Sequence, residues 1–191
     1  MKFGITVSQI NEVDLVVQAE NAGYDFCWVW DSPMIRSNLW ALLALVAERT
    51  SRISIGPGVA IPALSMAPVT ANAIATINAI APGRTFLGVG TGNTALRAMG
   101  QVPMTIQALE AQLKVIRGLL AGETVAYEAN GINEDIAFQS LELGCINLDD
   151  PIPIHISGFG PKAQALAGEY GDRLITGIPR GGTIPNALAN V

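Results

Sequence analysis

Short apolar runs alternate along the chain with longer segments in which apolar residues follow helical spacing. The runs are nearly continuous, as is typical of parallel strands buried on both faces. They predict six strands, which lie in KFGITV, YDFCWVW, ISIGPGV, RTFLGVG, IPIHIS and RLITGI. Five helices are predicted between them, in NEVDLVVQAENAG, NLWALLALVAERT, APVTANAIATINAI, MTIQALEAQLKVIRGLLAG and PKAQALAGEYG. This alternation predicts one α/β domain over residues 1–191, built as either a doubly wound sheet or a (β/α)₈ barrel.

Turn and cap residues refine this outline. Asn11 is the expected N-cap of the first helix, and Gly23 takes the C′ position after it. A long segment separates the fourth helix from the fifth strand, and Asn130-Gly131 lies within it between two β-prone runs. This dipeptide predicts a β-hairpin inserted before the fifth strand.

The strand ends carry the candidate chemistry, because both architectures place their sites there. Asp31 follows the second strand and can either hydrogen-bond a polar ring or substrate, or serve as an ordinary turn residue. The third strand ends in GPGVAIP, where glycines and prolines indicate unusual backbone geometry. That geometry is either a simple tight turn or a bulge that lets the backbone approach a flat ligand.

The fourth strand ends in FLGVGTGN, whose glycines do not have dinucleotide-binding spacing. The Rossmann pattern needs glycine at its sixth position, which is Asn93 counted from Gly88 and Ala95 counted from Gly90. Instead, the glycines leave the end of this strand without large side chains, and Thr91 and Asn93 supply small hydrogen-bonding groups there.

The fifth strand ends in the better phosphate candidate. Residues Ser157, Gly158, Phe159 and Gly160 precede Pro161, a favoured first residue of a helix. The backbone N–H groups of such a loop, with the helix dipole behind them, form an anion site.

His155 and Ser157 share one face of the fifth strand, but they do not predict a serine hydrolase. The nucleophile elbow requires glycine two residues before and two residues after the serine, where this chain has His155 and Phe159. One histidine and scattered carboxylates also lack the spacing of metal ligands, so we expect no metal site.

Composition narrows the class of protein. The chain has 191 residues, of which half are hydrophobic, and its net charge is −5. The negative charge disfavours nucleic acid as a partner, and the longest apolar run, 39–47, is too short to span a bilayer. The start of the chain indicates a first strand rather than a signal peptide, so we expect a cytoplasmic protein with no membrane partner. In that compartment, Cys27 and Cys145 are expected to be free thiols.

Four segments, taken in order, resemble the luciferase-like monooxygenase superfamily: AENAGYDFCWVWDS, AERTSRISIGPGVAIP, ANAIATINAIAPGRTFLGVGTGN and ISGFGPKAQALAGEYGDRLITG. The resemblance covers nearly the whole chain and is closest to the deazaflavin branch, the coenzyme F420-dependent oxidoreductases. It implies a TIM-type (β/α)₈ barrel. Such barrels take about 250 residues, and this chain shows six strands, so we expect a truncated barrel that lacks strands seven and eight.

The resemblance also implies the site. It places Asp31 near the ring of the cofactor, which is F420 or, alternatively, FMN. A non-proline cis peptide at Gly58-Val59 is expected behind the ring. The loop 157–161 is expected to bind the cofactor phosphate. Thr91 and Asn93 belong to the same pocket. The implied activity is hydride transfer between the cofactor and a small organic substrate.

Three positions depart from the family pattern. Sugar-phosphate dehydrogenase members have histidine and glutamate where this chain has Ser32 and Asn93, and pterin reductases have glutamate where it has Thr6. The sequence shows no convincing replacement proton donor, so the catalytic residues stay unassigned. A non-catalytic flavin-binding protein and a degenerate truncated barrel therefore remain alternatives to an active oxidoreductase.

We also predict a homodimer. The second helix is apolar around most of its circumference over 39–47, whereas an outer barrel helix should show one polar face to water. An unclosed sheet would leave open edges that favour association, and members of the resembled family commonly dimerise through this helix.

Overall fold

The computed structural model describes residues 1–178, together with Gly182 and Pro185. Strands and helices alternate as predicted. The strands are β1 (Gly4–Val7), β2 (Phe26–Val29), β3 (Ser54–Pro57), β4 (Leu87–Val89), β5 (Val125–Ala129), β6 (Ile132–Ile136), β7 (Ile154–Ser157) and β8 (Arg173–Ile175). The helices are α1 (Val13–Asn21), α2 (Leu39–Arg49), α3 (Ala67–Ile80), α4 (Asn93–Ala98), α5 (Ile106–Leu120) and α6 (Pro161–Tyr170).

Six of the strands run parallel and lie side by side. β1, β2 and β3 pair in that order, as do β4, β7 and β8. Two parallel bridges, Ile55 to Thr85 and Ala60 to Val89, join β3 and the residues after it to β4. Within the described residues no pairing between β1 and β8 closes this sheet. The prediction of an α/β fold with six parallel strands that do not form a complete barrel is confirmed.

The core lies between the sheet and its helices. Alternate strand residues, including Val29, Ile55, Val89 and Ile156, are fully buried in one cluster with apolar residues of α2, α3 and α5. Because side chains of a strand alternate in direction, the intervening residues project to the opposite face. That face carries a set of aromatic rings, Phe26, Trp28, Phe86 and His155.

The predicted hairpin is present and is made by β5 and β6. They pair antiparallel with Ala129 opposite Ile132. The two turn residues have positive φ, 54° at Asn130 and 77° at Gly131. A two-residue turn with both φ values positive is the type I′ turn that Asn-Gly favours, so the dipeptide sets the hairpin register.

One local prediction was wrong, and one short helix was missed. Asn11 does not cap α1, because residues Ile10–Glu12 form a 3₁₀ turn and Glu12 is the N-cap. The Glu12 carboxylate instead accepts hydrogen bonds from the backbone N–H groups of Ser8, at 2.7 Å, and Gln9, at 2.9 Å. The short helix α4 was not anticipated, because its six residues, NTALRA, are too few to show a helical period.

α2 buries most of its apolar surface within the chain. Leu39, Leu42, Leu43 and Val46 are buried against α1, α3 and the sheet, whereas Leu45 is 44% exposed. Intramolecular packing therefore explains much of the pattern that motivated a dimer, and the dimer stays a prediction.

Both cysteines are free, Cys27 buried and Cys145 exposed. No helix in the described part of the chain is long and apolar enough to cross a membrane.

Candidate functional site

A cavity of about 880 Å³ opens where the carboxyl ends of the parallel strands meet. It lies between the segments that follow β2, β3, β4 and β7, so residues far apart in sequence meet there. All the predicted site residues except Gly158 line it. The lining residues are Trp30, Asp31, Ser32, Gly58, Val59, Ile61, Gly90, Thr91, Gly92, Asn93, Thr94, Ala95, Ile106, Ser157, Phe159, Gly160, Pro161, Lys162 and Ala163.

Gly158 supports the loop after β7 from beneath. It is buried, and its N–H donates to the Ile175 carbonyl at 2.9 Å. A Cβ at this position would lie 3.0 Å from Leu174 Cδ1 and 3.1 Å from the Ala163 carbonyl carbon. Packing against these atoms therefore favours glycine here, and a ligand contact of Gly158 stays a prediction.

Asp31 is held at the end of β2 by a backbone contact from the neighbouring strand end. The N–H of Ile61 donates to its Oδ2 at 3.2 Å. Burial raises the pKa of the Asp31 carboxyl to about 6, and the Ile61 hydrogen bond only partly offsets this shift. The cavity thus contains a carboxyl group that changes protonation state near neutral pH.

The segment after β3 forms one wall of the cavity. The Gly58-Val59 peptide bond is cis, as the family resemblance implied. A Cβ at Gly58 would lie 2.6 Å from Trp28 Cβ, so the backbone packs directly on that indole. Across the cavity floor, a Cβ at Gly90 would lie 2.7 Å from Val59 Cγ2. These close approaches leave a wall of backbone and small side chains against which a flat ring can lie.

The rim after β4 is ordered by its own hydrogen bonds. Gly92 has φ 75° and precedes α4. Arg97 Nε donates to Asn93 Oδ1 at 2.8 Å, and Met104 N–H donates to the Thr91 carbonyl at 3.0 Å. Arg97 thus engages the side-chain oxygen of Asn93, and the Nδ2 amide is the group of that side chain that can donate to a ligand.

The loop after β7 leads into the N-terminus of α6 and leaves donors free. The first hydrogen bond of the helix runs from Gln164 N–H to the Gly160 carbonyl at 3.0 Å. The N–H groups of Lys162 and Ala163 precede it and lie outside the helical ladder. No side chain caps the helix. These donors, the helix dipole and the Lys162 ammonium group together suit an anion.

Gly160 precedes these free N–H groups and has open space beside it. Its φ is −127° and its ψ is 163°, which any residue can adopt, and a Cβ there would meet nothing within 4 Å. Neither backbone conformation nor packing therefore requires glycine. A missing side chain does, however, open the free N–H groups of α6 to a phosphate.

His155 does not belong to the cavity lining. It is buried, its ring stacks on Phe86, and burial with the nearby charge of Arg173 lowers its pKa to about 4. It is neutral at physiological pH and is engaged with an aromatic ring rather than with Ser157. The arrangement gives no support to a serine hydrolase.

Several lining residues were not singled out from the sequence. Trp30 precedes Asp31 and was treated as the end of an apolar strand. Ile61 contributes through its backbone N–H, which no side-chain pattern signals. Ile106 begins α5, far along the chain from the other lining segments. Of the three, only Trp30 had a usable signal, an aromatic ring next to a strand-end carboxylate.

The comparisons with known proteins agree with this geometry. The family model described as luciferase-like monooxygenase matches residues 7–185. The chain belongs to this family.

Among individual relatives, the chain is 33% identical over 183 residues to a 5,10-methylenetetrahydromethanopterin reductase of Archaeoglobus fulgidus, a match that covers 92% of this chain and 52% of the relative. It is 32% identical over 182 residues to an F420-dependent glucose-6-phosphate dehydrogenase of Nakamurella multipartita, covering 85% and 50%. The chain thus spans about half the length of the curated relatives it matches.

Solved structures extend the likeness to three dimensions. An F420-dependent secondary alcohol dehydrogenase in complex with an F420-acetone adduct superposes with a TM-score of 0.77 at 25% identity, covering 99% of this chain and 63% of that one. The F420-dependent tetrahydromethanopterin reductase from Methanopyrus kandleri superposes with a TM-score of 0.73 at 25% identity, covering 92% and 55%.

Proposed function

We propose that this chain binds coenzyme F420 in the cavity and forms the cofactor site of an oxidoreductase that transfers a hydride between F420 and a small organic substrate. One observation carries the proposal: three features line the same cavity. They are a half-buried carboxyl group, a wall of backbone and small side chains, and the free N–H groups at the start of α6.

Each part of the cavity has a role in this proposal. The segment Gly58-Val59 supports one face of the ring, and Asp31 hydrogen-bonds its polar edge. The loop 157–161 and Lys162 bind the cofactor phosphate. When bound, the cofactor supplies or accepts the hydride, while the protein orients it and keeps water away from the reacting carbon.

Similarity to F420-dependent relatives supports F420 over FMN, which is the alternative cofactor. FMN also presents a flat ring and a phosphate, so the loop after β7 does not discriminate between the two.

A second candidate function is binding of the cofactor without catalysis. Ser32 and Asn93 motivate it, because neither side chain titrates near neutral pH.

The proposal is tested by titrating the purified chain with F420 and, separately, with FMN, while ring fluorescence is followed. We expect saturable binding of F420 and weaker binding of FMN. Gly160→Leu fills the space in front of the α6 N–H groups and should weaken binding of either cofactor. Absence of saturable binding for both would overturn the proposal, and binding of FMN alone would replace F420 by the alternative.

A further inference from the structure

Methionine is concentrated at the edge of the sheet where the cavity opens. The chain has five methionines, of which the first is Met1. The other four follow the carboxyl ends of β2, β3 and β4, and they are Met34, Met66, Met99 and Met104. No methionine belongs to the main core of the described residues. Because methionine is unbranched and its thioether is polarizable, it suits apolar surfaces that adapt to a ligand.

Two of these methionines pack behind the cavity wall. Met99 and Met104 lie against a small apolar cluster, separate from the main core, whose buried members are Ile61, Ala95 and Leu96. Ile61 and Ala95 also line the cavity. On this side the cavity wall is therefore backed by flexible side chains, in contrast to the branched residues that fill the main core.

Large apolar side chains are also exposed around the cavity mouth. They belong to loops that follow three different strands, and the exposed fractions are 83% at Met34, 82% at Val102 and 73% at Phe159. Because the parallel strands end at one edge of the sheet, these loops share that edge. We call these residues, together with the exposed Trp30, the apolar entrance. Large apolar side chains that gather at one exposed place indicate a ligand or partner site.

Met34 is the least expected residue of the apolar entrance. Its φ is 64°, in the left-handed region that glycine and asparagine favour, and the residue is almost fully exposed. The N–H groups of Ile35 and Arg36 donate to the Ser32 carbonyl at 3.0 and 2.9 Å, which fixes the turn that carries Met34. Ser32 itself lines the cavity. Neither backbone conformation nor packing within the described chain favours methionine here, so contact with a ligand is the reason that remains.

The cavity lining leaves no charged group for a substrate. In the described part of the chain its only charged residues are Asp31 and Lys162. The proposed function assigns them to the ring edge and the phosphate of the cofactor. Arg36 and Arg97 contact lining residues but are absent from the lining. The part of the cavity that remains for a substrate is therefore uncharged.

We propose that the substrate is an uncharged, largely apolar molecule that reaches the cofactor across the apolar entrance. This inference rests on the proposed function and names the substrate class of the same site. The methionines behind Ile61 and Ala95 let the wall shift, so apolar molecules of different shapes fit. Sugar phosphates and other anions would lose hydration at the apolar entrance without gaining a charged partner, so they are disfavoured.

The test uses the chain saturated with F420 and isotopically labelled at the methionine methyl groups. Butanone, hexan-2-one and octan-2-one are the uncharged probes, and butanoate, hexanoate and octanoate are anionic probes of matched length. Single methionine-to-leucine variants assign the methyl signals by NMR, and probe affinity is read from the shifts of those signals. Met34→Ser and Val102→Ser each remove one side chain of the apolar entrance. The control Ile132→Ser removes an exposed apolar side chain from the hairpin.

We expect octan-2-one to shift the methyl signals of Met34, Met99 and Met104 and to leave that of Met1 unchanged. Affinity should rise about three- to fourfold with each CH₂ group added to the uncharged probes, as is typical of CH₂ burial. Each of the two entrance variants should weaken octan-2-one binding by at least about threefold. The hairpin variant should bind it as the wild type does. F420 affinity, measured by fluorescence, should not fall in parallel.

Four results would overturn the inference alone while the wild-type chain binds F420. They are octanoate binding more tightly than octan-2-one, an affinity that does not depend on probe length, entrance variants that bind octan-2-one like the wild type, and methyl signals that no probe shifts. The first of these would assign an anionic substrate to the cavity. A wild-type chain that binds no F420 overturns the proposed function and this inference together.

Discussion

His155 stacks on Phe86 with 4.4 Å between the ring centroids and 9° between the ring planes. The pair joins β7 to the residue just before β4 on the face of the sheet opposite the helices. The only histidine of the chain is thus a packing residue, and its pKa is lowered to about 4 because burial and the Arg173 charge disfavour the imidazolium form.

This burial predicts acid sensitivity. Between about pH 6.5 and pH 4 the unfolded chain binds a proton at His155 that the folded chain excludes. The free energy of unfolding should therefore fall on acidification, by on the order of 1–3 kcal/mol from this group. Urea denaturation at pH 7 and pH 4.5 would measure the loss. His155→Gln should lose less stability over the same interval, and an equal loss in both proteins would contradict the assignment.

Asp31→Asn should stabilise the fold at neutral pH. The folded-state pKa is raised to about 6, so above that value the folded chain carries a half-buried charge that the unfolded chain hydrates fully. An asparagine oxygen retains the hydrogen bond from Ile61 without the charge. The gain should be about 1–2 kcal/mol at pH 7.5 and should shrink as pH falls through 6 towards 4. Melting temperatures across this range would show it, and a gain that grows at low pH would be inconsistent with a raised pKa.

Gly160 and Gly168 form a matched pair on α6, since a Cβ at either would meet nothing within 4 Å. Gly160→Leu should weaken F420 binding by at least about 10-fold because it covers the free N–H groups, while stability changes by no more than about 1 kcal/mol. Gly168→Ala should leave affinity unchanged and raise stability by roughly 0.5–1 kcal/mol. Equal affinities in the two variants would argue against the anion site.

The homodimer is predicted to involve the exposed part of α2. Leu45 is 44% exposed there, and Ile132 on the hairpin is 62% exposed. Light scattering coupled to size exclusion should give twice the monomer mass for wild type and for the control Ile132→Glu, and the monomer mass for Leu45→Glu. A wild-type protein that elutes as a monomer across concentrations would rule the dimer out.

Periodicity was sufficient to predict the six parallel strands and five of the six helices in the described residues. α3 begins and ends where its sequence segment was predicted to, and Asn130-Gly131 makes the expected turn, because both depend on local backbone preferences. The strand-end residues Asp31 and Thr91 were predicted to share a site because parallel strands end at the same edge.

Longer-range features were not predictable from one sequence. The Ile61 N–H that anchors Asp31 is a backbone group and has no sequence signature. Gly158 and Gly160 look equivalent in SGFGP, yet a Cβ at Gly158 would crowd Leu174 and the start of α6, whereas Gly160 faces open space. Only the packing of β8 and α6 around the loop separates their roles.

Hydrogen–deuterium exchange with and without F420 tests the central claim, that the strand-end cavity is the cofactor site, most directly. We predict that F420 slows exchange at 58–61, 91–93 and 159–163, which line the cavity, and leaves the hairpin 125–136, which does not, unchanged. Exchange that is unaltered in all three segments at saturating F420, or protection confined to other segments, would contradict the claim.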